Sequence, residues 1–214
     1  MLKEKLYCTK SEIVNGKFDN KYIVVTIGNV SENKNQKLLI ESMQYIPEDL
    51  SNKIVSIIIG GNEKDLVDFV FLKSIRNVYF TGLISQKDVT DILGCVSVCI
   101  MTSLNEGFGL PIVEGYEQGV PAIIPKSVDA FEDLFNENIC LAFDEYSPRV
   151  LADRIVESCQ KSWDIGQIKS YSKKFSMDKC AQKYCDFLSE AAKGKGSQLS
   201  LEKLERLFNE AKRI

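Results

Sequence analysis

Two glutamates separated by seven residues, Glu106 and Glu114, bracket the run Gly107-Phe108-Gly109-Leu110-Pro111-Ile112-Val113. Glycines let a backbone approach a ligand closely, and Pro111 suits the first turn of a helix. Exposed N–H groups and the positive end of a helix dipole attract anions such as a diphosphate. We therefore predict a polar pocket with both carboxylates around it. The alternative is an ordinary strand-to-helix turn with a capping glutamate.

The residue types that are absent narrow the chemistry further. The chain has no histidine, which excludes Ser-His-Asp and Cys-His catalysis and His-ligated metals within this polypeptide. Its seven cysteines are odd in number and form no Cys-x-x-Cys motif, so we expect buried reduced thiols rather than disulfides or a zinc site. Carboxylates, lysines, backbone amides or the substrate itself must perform any reaction.

Composition describes an ordinary globular chain. Hydrophobic residues make up 44% and charged residues 27%, and the net charge of −3 argues against a nucleic-acid partner. No apolar run approaches the ~20 residues of a membrane span, and the amino terminus lacks the apolar core of a secretory signal. We therefore expect a cytoplasmic location. The sequence contains no Asp-x-Asp motif, so we predict neither a metal nor a separate cofactor.

Apolar runs that end in glycine or polar residues alternate with segments of helical spacing. The runs predict buried parallel strands at 22–28, 54–59, 78–82, 97–101, 121–124 and 140–143. Helices are predicted between them, including 33–45 and 110–118, and, after residue 148, at 148–161, 165–173 and 176–192. Such alternation through short loops predicts an α/β fold: a single Rossmann-like, doubly wound parallel sheet followed by C-terminal helices.

The predicted sheet and its helices occupy residues 22–192, with a different segment on each side. Residues 1–21 are interpreted as a linker-like segment. Residues 193–214 are interpreted as a flexible linker and an amphipathic helix, with six Lys and Arg against three Glu. That helix, at 199–214, could dock on its own domain, on a partner subunit or on an anionic membrane at the inner face.

Unusual residues follow four predicted strands in succession. In an open parallel sheet, ligands bind outside the carboxyl ends of the strands, so these residues predict one ligand-sized rim. The rim contains Gly28, Asn29 and Lys34 after the first strand, Gly60 after the second, Thr81, Gly82 and Ile84 at the third, and Glu106, Gly107, Phe108, Gly109 and Leu110 after the fourth.

Residues 20–190 resemble a known family through several segments. The most specific is Ser103 to Glu114, and the others are Gly28 to Asn35, Phe80-Thr81-Gly82, Gly119-Val120-Pro121, Glu132-Asp133-Leu134 and Asn136 to Phe143. Together they are similar to the carboxy-terminal, donor-binding domain of the family 4 retaining glycosyltransferases, which have the GT-B fold. In that family this domain binds a nucleotide-sugar.

The resemblance implies a role for each residue of the rim. Glu114 would hold the ribose hydroxyls, because a carboxylate can accept hydrogen bonds from a vicinal diol. Glu106 would contact the donor sugar and stabilise positive charge at its anomeric carbon, while Lys34 would balance the departing diphosphate. Backbone near Ile84 would meet the base. The remaining donor-contacting positions would be Gly28, Asn29, Gly60, Thr81, Gly82, Gly107, Phe108, Gly109 and Leu110.

Two departures from the family pattern change the expectation. Asn29 stands where an arginine is usual, which weakens leaving-group stabilisation unless Lys126 or a partner substitutes. The amino-terminal, acceptor-binding domain of a GT-B enzyme is also missing from this sequence. We therefore expect half of an enzyme, which needs that domain or a separate subunit as its partner.

Three functional hypotheses remain open from the sequence. The first is the donor-binding half of a hexosyltransferase that moves a sugar from a nucleotide-sugar, with retention, to a glycan or lipid-linked acceptor. The second is a non-catalytic nucleotide-sugar-binding or interaction module. The third is a phosphate-binding α/β regulatory domain, which does not explain Pro111 and Glu114 together. The base, the sugar and the acceptor stay undetermined.

Overall fold

A computed structural model describes residues 3–192 of the chain, and the linker and amphipathic helix predicted at 193–214 lie outside this range. Within it, six parallel strands form one sheet in the order β3-β2-β1-β4-β5-β6. This confirms the predicted fold class. The strands are β1 (Tyr22–Ile27), β2 (Ile54–Ile59), β3 (Val78–Gly82), β4 (Val98–Ile100), β5 (Ala122–Pro125) and β6 (Cys140–Phe143).

Successive strand residues feed two separate cores, one on each face of the sheet. Val24 and Val25 are both fully buried, yet they belong to different hydrophobic clusters. The same alternation separates Ile57 from Ile58 in β2. Because both faces are covered, the strands need apolar residues at every position, which is why they are continuous apolar runs in the sequence.

Helices cover both faces of this sheet. α1, α5, α6 and α9 pack on one core, and α2, α4 and α8 pack on the other. The helices are α1 (Lys10–Val14), α2 (Gln36–Ser42), α3 (Glu48–Ser51), α4 (Lys64–Leu72), α5 (Gln86–Leu93), α6 (Leu110–Gln118), α7 (Phe131–Leu134), α8 (Pro148–Gln160), α9 (Ile165–Ser172) and α10 (Met177–Ala192). None of the helices within residues 3–192 combines the length and the apolar character needed to cross a membrane.

Most predicted elements occur at their predicted places, and the differences have local causes. α2 is shorter than the predicted helix at 33–45, because residues before Gln36 form a loop that bonds to the segment after β4. α3 and α7 were not predicted. Each has four residues, which is too short to show a helical period.

The described part of the predicted linker, residues 3–21, is packed against the domain. Leu6, Cys8, Ile13 and Phe18 are buried. The Cys8 N–H donates a 2.9 Å hydrogen bond to the carbonyl of Phe80, so this segment lies along the β3 edge of the sheet. The sequence did not reveal this packing because the apolar residues have neither a helical nor a strand period. They are too irregularly spaced to be separated from a linker by pattern.

Candidate functional site

A cavity lies where the strand order reverses, between the carboxyl ends of β1 and β4. Its lining includes Thr26 and Ile27 of β1, Met101 after β4, and Pro111 at the start of α6. Such a reversal opens a crevice because the connections leave β1 and β4 toward opposite faces, and it is the usual ligand position in open α/β sheets. The charged residues of the cavity, Lys34 and Glu106, are two that the sequence predicted for this rim.

Lys34 and Glu106 form an ion pair although they are 72 positions apart in the sequence. Lys34 Nζ donates to Glu106 Oε2, and the Ser103 hydroxyl lies 3.4 Å from the same oxygen. The two side chains are 31% and 17% exposed. At this partial burial the pair is screened less than a surface salt bridge, so each charge fixes the position of the other. The sequence predicted both residues in the site but not their contact.

Side-chain amides and hydroxyls fasten the loop that carries Lys34 to the loop that carries Glu106. The Asn33 amide donates to the Asn105 carbonyl and accepts from the Asn105 N–H, both at 3.0 Å. The Thr102 hydroxyl donates a 2.7 Å bond to the Lys34 carbonyl. Sequence reasoning missed Asn33 and Thr102, because a loop asparagine or threonine is usually a turn residue and nothing in the pattern identified its distant partner.

The glycine-rich turn enters α6 through a left-handed residue. Gly109 has φ of +80° and occupies the N-cap of α6 without a side chain to cap it, and Pro111 lies in the first turn as predicted. A Cβ at Gly107 would meet nothing within 4 Å, so the space beside that residue is open. Backbone donors at this helix start can therefore reach a ligand in the open space.

Phe108 and Leu110, the other predicted residues of the turn, differ in their surroundings. The Phe108 ring packs edge-on against Phe175 at 5.8 Å between centroids, while Leu110 is 60% exposed. The Phe108 side chain therefore anchors the turn to the C-terminal part of the domain. A contact of Phe108 with a ligand would come from its backbone.

The loops after β1 and β2 touch backbone to backbone. Gly60 has φ of +144°, and a Cβ there would lie 2.2 Å from the Gly28 carbonyl oxygen. Gly60 also donates a 3.1 Å bond to the Gly82 carbonyl. The Thr81 hydroxyl, at the same edge, lies 2.9 Å from the Gly82 carbonyl oxygen. The structure thus brings the predicted ends of β1, β2 and β3 together, and the glycines make this approach possible.

Asn29 uses its side chain within the protein. Its Oδ1 accepts a 3.0 Å hydrogen bond from the Gly61 N–H, which joins the loops after β1 and β2. Lys126, the other basic group considered for the diphosphate, forms a 2.9 Å ion pair with Asp144. Lys126 thus contacts Asp144 and does not line the cavity, whereas Lys34 does.

Glu114 lies on α6 and turns to a different neighbour than Glu106 does. Its Oε1 accepts a 2.8 Å hydrogen bond from Nε2 of Gln86, the first residue of α5. Burial raises the pKa of Glu114, the Gln86 amide opposes this by bonding the charged form, and the Glu117 carboxylate adds to the rise. Ile84, half-buried, precedes Gln86 by two residues. Glu114 and Ile84 therefore flank the start of α5.

Comparison with known proteins identifies the class to which this fold and site belong. The family model described as glycosyl transferases group 1 matches residues 9–174. The chain belongs to this family, and it corresponds to the carboxy-terminal half of a GT-B glycosyltransferase.

Individual relatives share about half their length with this chain. The O-antigen biosynthesis glycosyltransferase WclY of Escherichia coli is 27% identical over 171 residues, which cover 78% of this chain and 46% of WclY. The structure of Anabaena HepE in complex with UDP and glucose has a TM-score of 0.70 at 21% identity, covering 89% of this chain and 55% of HepE. Sucrose-phosphate synthase of Thermosynechococcus elongatus has a TM-score of 0.70 at 19% identity, covering 86% and 50%.

Proposed function

We propose that this chain is the donor-binding half of a retaining glycosyltransferase that transfers a hexose from a nucleoside diphosphate sugar. The observation that carries the proposal is the ion pair of Lys34 with Glu106 in the cavity between β1 and β4, beside the start of α6. A cation, a carboxylate and a helix N-terminus suit a ligand that has an anionic diphosphate and a hydroxyl-rich sugar.

Each of these groups has a distinct task in the proposed reaction. The bond between the anomeric carbon and the diphosphate breaks with its electron pair on the phosphate oxygen, and Lys34 and the α6 amides stabilise that charge. Glu106 contacts the sugar and stabilises positive charge at the anomeric carbon. The acceptor hydroxyl gives its proton to the departing diphosphate oxygen and forms the new glycosidic bond on the face that the diphosphate leaves. The remaining predicted contacts are the ribose to Glu114 and the base to backbone near Ile84.

The acceptor side of the reaction requires a second domain. The chain spans about half the length of the relatives it matches, and one of them is named for O-antigen biosynthesis. These facts support an amino-terminal, acceptor-binding domain or subunit as partner and a glycan or lipid-linked acceptor. Residues 199–214 are the segment proposed for peripheral contact with the inner face of the membrane. The proposed location of the protein is the cytoplasm.

Nucleotide binding tests the donor half of this proposal without needing an acceptor. We expect UDP, at about 100 times its Kd, to stabilise the 214-residue chain by about 2.7 kcal/mol. That gain is about 5–11 °C in Tm for a domain of this size. GDP and ADP serve as the comparison that identifies the base. No shift with any of the three nucleotides would refute the proposal.

Lys34→Met identifies the residue on which diphosphate affinity depends. We expect it to lower the affinity for UDP at least about tenfold, because a hydrogen bond to a charged group is lost from a partly buried site. Lys37→Met is the matched control, since Lys37 lies on α2 with a side chain that is 53% exposed. Equal affinities in the two variants, measured by calorimetry, would exclude Lys34 as a diphosphate ligand.

A non-catalytic nucleotide-sugar-binding module is the second candidate. Asn29 favours this candidate, because it stands where the family usually has an arginine, so Lys34 has no neighbouring guanidinium at the diphosphate. The Asn29 side chain accepts a hydrogen bond from the Gly61 N–H instead. The two candidates separate when the chain is mixed with an amino-terminal domain of a relative, a UDP-sugar and an acceptor. Release of UDP above the rate of a Glu106→Gln variant supports the enzyme, while tight UDP binding without turnover supports the module.

A further inference from the structure

Gln86 is a polar residue beside the proposed nucleoside site to which neither the sequence pattern nor the family resemblance gives a role. It is the first residue of α5, and its exposed side chain reaches across to α6, where Nε2 donates to Glu114 Oε1 at 2.8 Å. The start of α5 is itself fixed, because the Ser85 hydroxyl accepts from the Asp88 N–H at 3.2 Å and caps the helix. One end of the Gln86–Glu114 bond is therefore well anchored.

At the other end of the bond, Gln86 provides the one side-chain hydrogen bond that Glu114 accepts within residues 3–192. Glu114 projects from a helix, is partly buried and has several rotatable bonds, so its two oxygens can take many positions. A carboxylate offers about four lone-pair positions. Gln86 occupies one of them and leaves enough for the two hydroxyls of a ribose. The bond can thus orient Glu114 without competing with a vicinal diol.

The same residue also lies next to the segment proposed to meet the base. Ile84 precedes Gln86 by two residues and lies in the connection between β3 and α5, and Gln86 is the residue at which α5 begins. A nucleoside that contacts backbone near Ile84 with its base and Glu114 with its ribose would therefore bind on both sides of the Gln86–Glu114 hydrogen bond. The hydrogen bond joins α5 to α6, whose separation has to stay fixed if one nucleoside is to make both contacts.

We infer that Gln86 is a positioning residue of the nucleoside site, which orients Glu114 toward the 2′- and 3′-hydroxyls of the ribose and so favours ribonucleotides. This inference depends on the proposed function, because it assigns the ribose to Glu114. It goes beyond that function by naming a residue that sets selectivity for a ribose diol without itself touching the diol.

Paired measurements with UDP and 2′,3′-dideoxy-UDP separate positioning from general stability. Gln86→Met removes the amide donor and keeps the length of the side chain. We expect it to lower the affinity for UDP about three- to tenfold, which is the effect of one hydrogen bond at an exposed site. The affinity for dideoxy-UDP should stay unchanged. Gln160→Met, a matched exchange at the exposed end of α8, should change neither affinity. Calorimetry on the full chain gives all six dissociation constants.

Gln86→Glu provides a second variant if Gln86→Met lowers the yield of folded chain. It places a second carboxylate where the Gln86 amide now donates to Glu114, so the two like charges repel. The affinity for UDP should therefore fall more than in Gln86→Met. Dideoxy-UDP again should change less than UDP. Thermal unfolding of every variant before titration establishes that folded protein is being compared.

The outcomes distinguish this inference from the function on which it depends. Wild-type binding of UDP with equal losses for UDP and dideoxy-UDP in Gln86→Met, or no loss for either, overturns the role of Gln86 and leaves the donor site standing. Equal wild-type affinities for UDP and dideoxy-UDP overturn the assignment of Glu114 to the ribose and Gln86 with it. Failure of the wild-type chain to bind UDP, GDP or ADP overturns the proposed function as well.

Discussion

Among glycine-to-alanine exchanges on the rim, Gly60→Ala should be one of the most destabilising. The new methyl group would lie 2.2 Å from the Gly28 carbonyl oxygen, 2.5 Å from its carbon and 3.0 Å from the Asn29 nitrogen. All three are backbone atoms, so no side chain can rotate out of the way. The residue also has φ of +144°, which an alanine rarely adopts.

The two effects can be summed into an expected loss of stability. A disfavoured backbone conformation costs about 1–3 kcal/mol, and overpacking costs a further ~1–3 kcal/mol. We therefore expect the free energy of unfolding to fall by about 2–6 kcal/mol. For a domain of this size each kcal/mol lowers Tm by about 2–4 °C, so Tm should fall by about 4–24 °C. Urea and thermal unfolding followed by circular dichroism measure both quantities.

Gly107→Ala is the matched control for this measurement. Gly107 lies on the same rim, but a Cβ there would meet nothing within 4 Å, and its φ is not in the positive range. Its exchange should leave stability unchanged or raise it by up to about 1 kcal/mol, through the lower entropy of the unfolded chain. Equal stabilities of the Gly60→Ala and Gly107→Ala variants would refute the close approach of the loops after β1 and β2.

Three further substitutions test other contacts. Glu114→Gln should stabilise the nucleotide-free chain above the raised pKa of Glu114, because a carboxylate whose pKa burial raises is more stable protonated. This advantage should shrink in unfolding curves taken from about pH 8 down to about pH 4, and a constant difference would contradict it. Tyr116→Phe should cost about 1 kcal/mol in urea, because the buried hydroxyl donates to the Leu134 carbonyl at 3.0 Å, whereas Tyr45→Phe at an exposed ring should cost nothing measurable. Asn33→Ala removes two hydrogen bonds between the loops around the cavity and should weaken UDP while lowering Tm by only a few degrees, and unchanged affinity would exclude Asn33 from positioning the site.

Much of the fold could be predicted because local patterns and packing agree. β2, β3 and β6 occupy the predicted residues, and α6 begins and ends at the predicted residues, Leu110 and Gln118. Their signals are strong: continuous apolar runs for strands buried on two faces, and glycines on either side of α6. Residues 3–21 were interpreted differently because their few apolar residues show no period, although the β3 edge buries them.

The site was predictable as a set of positions and not as a set of contacts. Residue types after four consecutive strands indicated the rim, because parallel strands bring their carboxyl ends to one edge. The Asn33–Asn105 and Gln86–Glu114 hydrogen bonds join residues 72 and 28 positions apart, and nothing in either local sequence identifies the partner. The pattern predicted both glutamates around one pocket, but it did not indicate that each has its own hydrogen-bond partner. Glu106 bonds Lys34 while Glu114 bonds Gln86.

The sequence by itself determined most of the strands and helices, the family resemblance and the place of the segment from Glu106 to Glu114 after the fourth strand. These follow from properties of neighbouring residues: burial on both faces, glycine at a turn and proline at a helix start. Only the tertiary structure decided that Asn29 bonds the Gly61 amide and that Glu114 faces the start of α5. Such contacts depend on how loops from distant parts of the chain meet, and a one-dimensional pattern does not contain those distances.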